Sequence, residues 1–402
     1  MSDTVAGNKP TGDLHVEPME IQMGPSHPST HGTVKIVLQL DGERIVDSQV
    51  EVGYLHRGFE KECESGEYYQ AIPYTDRLNY ASPMINNVGY CLAAEKLFGV
   101  EVPPRGQYLR TIACELSRMS DHFTCIGASA LELAAMTPFL YSVQAREHIW
   151  DLHEALCGAR VTTNYVRIGG LQSDLPAGFA ELCREKVAAA LAIFADVDRL
   201  LTDNPIFRER MEGTGRLPAE TLIAYGVTGP LLRAAGVGLD LRRAQPYLVY
   251  DRLDFDVPVG TSSDNYDRYL VRVEEVRQSA RMIDQALRDL PDGPVDVDDH
   301  RFRWPAKGKV FNRMEELIDQ FKLVTEGMRP PAGEVYQAVE GANGELGFYL
   351  VSNGSGKPWK CRCRAPSFSN MHAMHDMIQG ALLADVVPTF DMINMIGGEC
   401  DR

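Results

Sequence analysis

The chain has 402 residues, of which 44% are hydrophobic and 24% charged, a composition typical of an ordered globular protein with a sizeable core. Its formal net charge of −16 argues against nucleic-acid binding, which needs a surface rich in Lys and Arg. Nine cysteines without secreted-type spacing, an N-terminus unlike a signal peptide and no run of eighteen apolar residues predict a cytoplasmic location without a transmembrane segment.

A polar segment and a β-hairpin come first in the chain. Residues 1–18 are polar and contain Gly and Pro, which predicts a mobile N-terminal arm. Apolar and polar residues alternate from Val34 to Leu40, Asp41-Gly42 is a favourable hairpin turn, and a second strand is predicted over 44–52. We therefore expect a β-hairpin within the region 19–70.

Helices are predicted for most of the region 71–330. Apolar residues recur at three- and four-residue steps from Leu109 to Ile126, as in an amphipathic helix. Thr137-Pro138 predicts the start of another helix, with Thr137 as its N-cap and an end near Gly158. Further helices are predicted over 181–203, 265–290 and 312–326.

A second hairpin is predicted in the region 331–402, with strands near 346–352 and 358–364. Cys361 and Cys363 would share one face of the second strand about 7 Å apart, too far for a disulfide, so we expect packed thiols. The elements together predict an α+β fold, predominantly helical, in which residues 19–402 form one compact domain.

The segment GPSHPSTHG (24–32) is the first candidate site. Gly and Pro bracket His27 and His31, so the loop is expected to be rigid and able to project an imidazole into a cavity. Two histidines four residues apart could ligate zinc, transfer protons or serve a structural role. No CxxC or HExxH motif completes a zinc site, and the spacing alone leaves these alternatives open.

Eight segments resemble, in the same order, segments of the 49 kDa subunit family of respiratory complex I. They are GPSHPSTHG, LHRGFEK (55–61), NYVRIGG (164–170), DVPVG (256–260), TEGMRPPAGEVY (325–336), GELGFYLVSNG (344–354), RAPSFSN (364–370) and GECDR (398–402). The resemblance covers nearly the whole chain. Because that family is similar to the large subunit of nickel-iron hydrogenases, the resemblance implies the hydrogenase-type multihelical fold.

The hydrogenase resemblance also supplies a chemical test. Nickel is held there by four thiolates arranged as two CxxC pairs. Asn79 and Ser82 stand at the first pair of positions in this sequence, and Ile396 and Glu399 stand at the second pair. These side chains cannot replace soft thiolate ligands, so we expect no metal site and no hydrogen-cleaving activity.

The resemblance implies a core peripheral-arm subunit of proton-translocating NADH:quinone oxidoreductase, on the cytoplasmic side of the bacterial inner membrane. Such a chain binds no cofactor itself: quinone is the substrate, an adjacent subunit holds the iron-sulfur cluster, and NADH and FMN bind elsewhere in the complex. The implied partners are the B-type iron-sulfur subunit, the C-type 30 kDa subunit, the I-type ferredoxin-like subunit and the H-type and A-type membrane subunits. A non-catalytic scaffold and a membrane-bound hydrogenase subunit are the alternatives.

Quinone reduction consumes two electrons and two protons, so the headgroup carbonyls need hydrogen-bond donors. By the resemblance, His31 and Tyr80 flank the headgroup, Glu132 partners His31, and His27 belongs to the same quinone-binding set. Glu132 replaces the Asp that is usual in the family, which would alter its hydrogen bond to His31. The helical pattern alone would place Glu132 on a solvated face.

A second group of residues is implied to lie near the partner's cluster or to position loops: Arg57, Arg77, Thr162 and Arg167. Thr162 stands where many relatives have a histidine close to that cluster. Because threonine does not titrate near neutral pH, the hypothesis is a cluster of lower potential, suited to menaquinone rather than ubiquinone. The arginines could equally form structural salt bridges.

Overall fold

The N-terminal sheet contains one strand more than the sequence patterns predict. The structure, a computed structural model, describes residues 19–402, so the predicted arm 1–18 lies outside the described residues. Strands β1 (Met19–Met23), β2 (Lys35–Asp41) and β3 (Arg44–Glu51) form an antiparallel sheet in the order β1-β2-β3. The expected hairpin is β2-β3. The additional strand does alternate apolar Met19, Ile21 and Met23 with polar Glu20 and Gln22, a five-residue signal that the hairpin prediction left out.

The rest of the described chain is mainly helical, which confirms the predominantly helical α+β fold class. The helices and remaining strands are α1 (Phe59–Ser65), α2 (Ile72–Thr75), α3 (Pro83–Phe98), α4 (Pro104–Glu132), α5 (Met136–Cys157), β4 (Val166–Arg167), β5 (Gly170–Leu171), α6 (Phe179–Leu201), α7 (Pro205–Met211), α8 (Ala219–Ala224), α9 (Pro230–Ala234), α10 (Leu241–Ala244), α11 (Asn265–Arg288), α12 (Lys307–Val310), α13 (Met314–Thr325), β6 (Gly333–Gly341), β7 (Gly344–Ser352), β8 (Lys360–Arg364), α14 (Pro366–His372), α15 (Met374–Ile378), α16 (Val386–Ile393) and α17 (Gly397–Cys400).

The predicted N-cap of α5 is wrong. The helix begins at Met136 with Ala135 as its N-cap, and no side chain caps it, so Thr137 and Pro138 lie inside the first turn. Proline is tolerated there because the first backbone N–H groups of a helix have no intrahelical acceptor. The predicted end is confirmed, since Gly158 closes the helix in the left-handed conformation with φ 78°.

Helix α4 lies at the centre of the molecule and packs against α3, α5, α11 and α16. Most of its residues are buried, including charged ones such as Arg110, Glu115 and Asp121. Arg110 and Glu115 lie in the interior because each pairs there with an opposite charge: Arg110 donates to Glu95 at 2.8 Å, and Glu115 lies 3.2 Å from Arg242. Because α4 is buried on all sides, it has polar residues on several of its faces. The three- and four-residue spacing of its apolar residues therefore describes only one of these faces.

The C-terminal sheet also has a third strand. The predicted hairpin corresponds to β7 and β8, and β6 pairs with β7 on its other edge, so β7 is central. The sheet packs on α3. Cys361 and Cys363 are buried free thiols on β8, as predicted. No helix within residues 19–402 combines the length and the apolar character needed to cross a membrane.

Candidate functional site

The histidine loop, residues 24–32, contains a short 3-10 turn over Pro28–Thr30. His27 caps the start of this turn, because its Nδ1 accepts a hydrogen bond from the Ser29 backbone N–H at 3.2 Å. His31 ends the turn in the left-handed conformation, with φ 53°, and is exposed. His27 is therefore engaged within the loop, whereas the imidazole of His31 is accessible.

Glu132 is the last residue of α4 and contacts the histidine loop through Ser29. The Ser29 hydroxyl donates to Glu132 Oε2 at 2.6 Å, so the expected hydrogen bond between Glu132 and His31 is not made. The reason is the geometry of the turn: Ser29 is buried while His31, two residues later, faces outward. The acidic residue thus holds the loop, although not by the predicted contact.

A second carboxyl group, Asp391 of α16, lies near Glu132 below the histidine loop. Asp391 is buried, and its Oδ2 has no hydrogen-bond partner among the described residues. Burial, and then the charge of Glu132, raise the pKa of Asp391 well above its usual value. The protonated form of Asp391 is therefore favoured by its surroundings, which include the Glu132 side chain that holds Ser29.

Tyr80 projects from a turn that precedes α3. Its neighbours Asn79 and Ser82 are buried and both donate to Asp121 Oδ2, at 2.8 Å and 3.0 Å. Tyr80 itself is 48% exposed. Partial burial, followed by the charge of Asp121, raises the pKa of Tyr80, so the phenol keeps its proton over the physiological range.

Asp121 joins this turn to the C-terminal segment. It lies on α4 and is fully buried, and its Oδ1 accepts a hydrogen bond from Asn394 Nδ2 at 2.6 Å. Sequence reasoning missed Asp121 because nothing in the local pattern of α4 distinguishes it from the other buried polar residues. Helix α4 contains several other buried polar residues, so its sequence gives no signal that singles out Asp121.

Glu399 occupies one of the positions compared with the hydrogenase thiolates. It is buried, and Oε1 accepts a hydrogen bond from the Ser367 backbone N–H at 2.9 Å. Burial is the main cause that raises the pKa of Glu399 to about 7; hydrogen bonding with Ser367 opposes this rise, and the charge of Asp121 adds to it. This carboxyl group can therefore gain or lose a proton near neutral pH.

The positions that would hold nickel by the resemblance contain a hydrogen-bonded polar cluster. Asn79, Ser82 and Glu399 surround Asp121, and Ile396 is buried in the same C-terminal segment. Within the described residues, no group of three or more His, Cys, Asp or Glu side chains is arranged to hold a metal ion. These oxygen and amide groups do not fit soft-metal coordination.

The C-terminal segment brings the histidine loop and the Tyr80 turn to one place. A Cβ atom at Gly397 would lie 2.7 Å from Thr33 Cγ2, next to the histidine loop. A Cβ atom at Gly398 would lie 2.5 Å from the backbone oxygen of Arg77. Only glycines permit these approaches, so the two adjacent glycines allow His31 and Tyr80 to be presented around one short segment.

The arrangement corrects one feature of the expected site. His31 and Tyr80 are both exposed, and the positions compared with the hydrogenase thiolates hold buried side chains, so this chain alone does not bury the His31 imidazole in a cavity, as the loop composition had suggested. A cavity of about 570 Å³ lies elsewhere on the chain, and its walls include Tyr69, Arg167 and Trp304. A chamber around His31 and Tyr80 therefore needs a second wall from another chain.

Two of the implied arginines position the Tyr80 turn. Arg57 Nη2 donates to the backbone oxygen of Arg77 at 2.7 Å, and the Arg77 guanidinium donates to the backbone oxygen of Pro73. Both arginines are exposed. These contacts fit the loop-positioning role; proximity to a cluster stays a prediction.

Arg167 and Thr162 lie beside a different surface. Arg167 donates to the side chain of Asn164, and both line the 570 Å³ cavity, while Thr162 is exposed. Asp76 connects this region to the Tyr80 turn, because Arg77 and Arg167 both act on its charge. Burial raises the pKa of Asp76 to about 6 in spite of these cations. Within residues 19–402, no hydrogen bond or ion pair joins Arg167 or Thr162 to His31.

Comparisons with known proteins show the family to which the chain belongs. Residues 132–402 match the family model described as respiratory-chain NADH dehydrogenase, 49 Kd subunit. The chain is 52% identical over 391 residues to a D-type subunit of NADH-quinone oxidoreductase from Sorangium cellulosum, covering 97% of each chain. It is 51% identical to the D-type subunit of the same enzyme from Myxococcus xanthus, covering 97% of this chain and 94% of that one. It is also 47% identical to the C/D-type subunit from Bdellovibrio bacteriovorus, covering 96% of this chain and 69% of that one. The chain therefore belongs to the 49 kDa subunit family of respiratory-chain NADH dehydrogenase.

Proposed function

We propose that this subunit forms the quinone-reduction site of a proton-translocating NADH:quinone oxidoreductase, beside an iron-sulfur cluster held by a neighbouring subunit. In that complex it would lie peripherally on the cytoplasmic side of the bacterial inner membrane. The observation that carries the proposal is the exposure of two proton donors, His31 and Tyr80, on segments that both pack on the C-terminal glycines. The names of the relatives, which are quinone oxidoreductase subunits, support the same substrate.

The chemistry of the two donors suits a quinone headgroup. Reduction to the quinol adds two electrons, supplied by the partner's cluster, and two protons, one to each carbonyl oxygen. The imidazole of His31 and the phenol of Tyr80 can each donate a hydrogen bond to one oxygen. As each oxygen gains electron density it becomes more basic, so the same donors can pass on their protons.

The remaining residues of the site position these donors. Glu132 holds the histidine loop through Ser29, and Asp121 holds the Tyr80 turn through Asn79 and Ser82. Rigid support of this kind favours catalysis because the donors do not have to be ordered when the substrate arrives. A purely structural role would not require Tyr80 to be exposed near Asp121, whose two carboxylate oxygens already accept hydrogen bonds.

Substitution of the two donors tests the proposal. We expect His31→Ala and Tyr80→Phe to reduce quinone reduction by the assembled complex by about 100-fold, within the range typical of lost acid-base catalysis. Assembly, and NADH oxidation with artificial acceptors, should stay close to wild type, because both side chains are exposed. His300→Ala, at another exposed histidine, is the matched control. Full quinone activity in both variants would favour the scaffold function instead.

A further inference from the structure

Helix α13, Met314–Thr325, presents its apolar side to solvent. Its exposed side chains are Met314 at 69%, Leu317 at 48%, Ile318 at 43%, Phe321 at 64% and Val324 at 54%, and Phe311 just before the helix is 78% exposed. Leu323 is the one residue of the helix that is buried. Soluble proteins rarely leave a continuous apolar strip of this kind uncovered.

Helix α13 is amphipathic, but its polar side packs on the protein and its apolar side faces solvent. At 100° per residue, the five exposed apolar positions of α13 fall on one side and Leu323 falls on the opposite side. The half-buried positions beside Leu323 are the polar residues Glu316, Asp319 and Gln320. The polar side therefore rests on the protein and the apolar side points away, which is the reverse of a helix whose apolar side packs on its own core.

The spacing of the apolar positions fits a second helix. Positions 314, 317, 318, 321 and 324 follow the alternating three- and four-residue steps of a helix-packing seam. Lys322 lies beside this seam and Arg313 is the N-cap residue at its start, and neither has an ion-pair partner among residues 19–402. Cations beside such a seam select a partner helix with carboxylates at the facing positions.

The charge of the helix disfavours a lipid surface as the occupant. Helices that lie on membranes carry Lys and Arg on their polar flanks, because the lipid headgroups are anionic. At the edges of the apolar side, Lys322 is accompanied by Glu315 and the other edge carries Gln320, so neither edge of α13 is a row of cations. A protein partner fits better, and membership of a family of multisubunit enzymes supplies candidate partner chains.

We propose that α13 is a docking helix for another subunit of the respiratory complex. Its apolar seam would pack against an amphipathic helix that has apolar residues at three- and four-residue spacing and carboxylates opposite Arg313 and Lys322. The inference concerns assembly and does not depend on the quinone site.

Photo-crosslinking identifies the occupant directly. A photoreactive phenylalanine analogue at position 321 should form an adduct, in the assembled complex, with one helix of another subunit. The matched control is the same analogue at Ile223, which is 54% exposed on α8. An adduct with lipid, an adduct with a second copy of this chain, or a yield no higher than at Ile223 would each overturn the proposal.

Substitution measures the contribution of the seam. Leu317→Asp should lower the yield of assembled complex, or the affinity of this chain for its partner, by about tenfold or more, because a charge would be buried in the seam. Leu317→Met and Ile223→Asp should leave assembly unchanged. The melting temperature of the isolated chain should not change in any of these variants, since both positions are about half exposed. Normal assembly of Leu317→Asp would contradict the inference.

Discussion

At the residue scale, the site depends on carboxyl groups that contact distant parts of the chain. Asp121 receives hydrogen bonds from Asn79 and Asn394, which lie 42 and 273 positions away in sequence. Ser29 and Glu132 are 103 positions apart. Motifs identified His31, Tyr80 and Glu132 as candidates, but no local pattern predicts which long-range partner a carboxylate will have. The resemblance therefore supplied the residues, and the structure supplied their contacts.

The titration of Glu399 gives a prediction at this scale. Its pKa is raised from 4.5 to about 7 by burial, so the folded state binds the proton more tightly than the unfolded state does. Glu399 therefore destabilises the fold progressively as pH rises from about 4.5 to about 7, by about 3 kcal/mol in total, and adds no further pH dependence above that range.

Glu399→Gln removes this titration while keeping the size of the side chain. We expect the free energy of unfolding of the variant to equal that of wild type near pH 4 and to exceed it by about 3 kcal/mol at pH 8. Denaturant unfolding of the full chain at several pH values measures both quantities. The same difference between variant and wild type at every pH would show that Glu399 does not titrate as described.

At the scale of elements, the prediction from sequence was good where one periodicity applies. The spans of α6 and α11 and the hairpin β2-β3 were close to those observed, because each has one buried face and clear turn residues. Strand β6 was missed because its residues are exposed at the first end and buried at the second, which hides the alternation. The apolar side of α13 shows a second limit of prediction from sequence. Periodicity indicates that a helix has an apolar face, but it does not indicate what that face packs against.

A substitution at Gly106 of α4 would test how closely this helix approaches the segment that contains Val295. Replacing glycine by alanine within a helix normally stabilises it by about 1 kcal/mol. A Cβ atom at Gly106 would lie 2.6 Å from the backbone oxygen of Val295, which cannot rotate away. We expect this overlap to dominate, so that Gly106→Ala destabilises the chain by about 1–2 kcal/mol.

Thermal unfolding measures this effect against a suitable control. Gly308 lies in the short helix α12, and a Cβ atom there would meet nothing within 4 Å. Gly308→Ala should therefore leave the melting temperature unchanged or raise it slightly, while Gly106→Ala lowers it by several degrees. Equal melting temperatures for the two variants would show that the loop containing Val295 moves aside without lowering the free energy of unfolding.

At the scale of the whole molecule, the two proposed surfaces are both incomplete in the isolated chain. His31 and Tyr80 are exposed donors without an enclosing wall, and α13 exposes an apolar seam. A chain whose proton donors and apolar helix face outward requires neighbours to complete both. Membership of a subunit family confirms that other subunits are partners, whereas composition and net charge do not indicate which parts of the surface would contact them.

Thr162 allows a prediction about the neighbouring subunit. When a histidine lies near a cluster, reduction of the cluster is coupled to protonation of the histidine. The one-electron potential of the cluster then falls by up to about 59 mV for each unit by which the pH rises. Thr162 is exposed and cannot supply such coupling, so we expect a cluster potential that hardly changes between pH 6 and 8. A cluster without this coupling, and with a lower potential, would suit menaquinone.

Thr162→His should introduce the missing coupling. Redox titration of the purified complex, followed by electron paramagnetic resonance at several pH values, should then give a potential that falls as pH rises through the pKa of the new imidazole. Thr261→His, at another exposed threonine, should leave the potential independent of pH. A strongly pH-dependent potential in the wild-type complex would reject the hypothesis, because another titrating group would then control the cluster. A potential unchanged by Thr162→His would place the cluster away from this residue, and the implied role of Thr162 would be wrong.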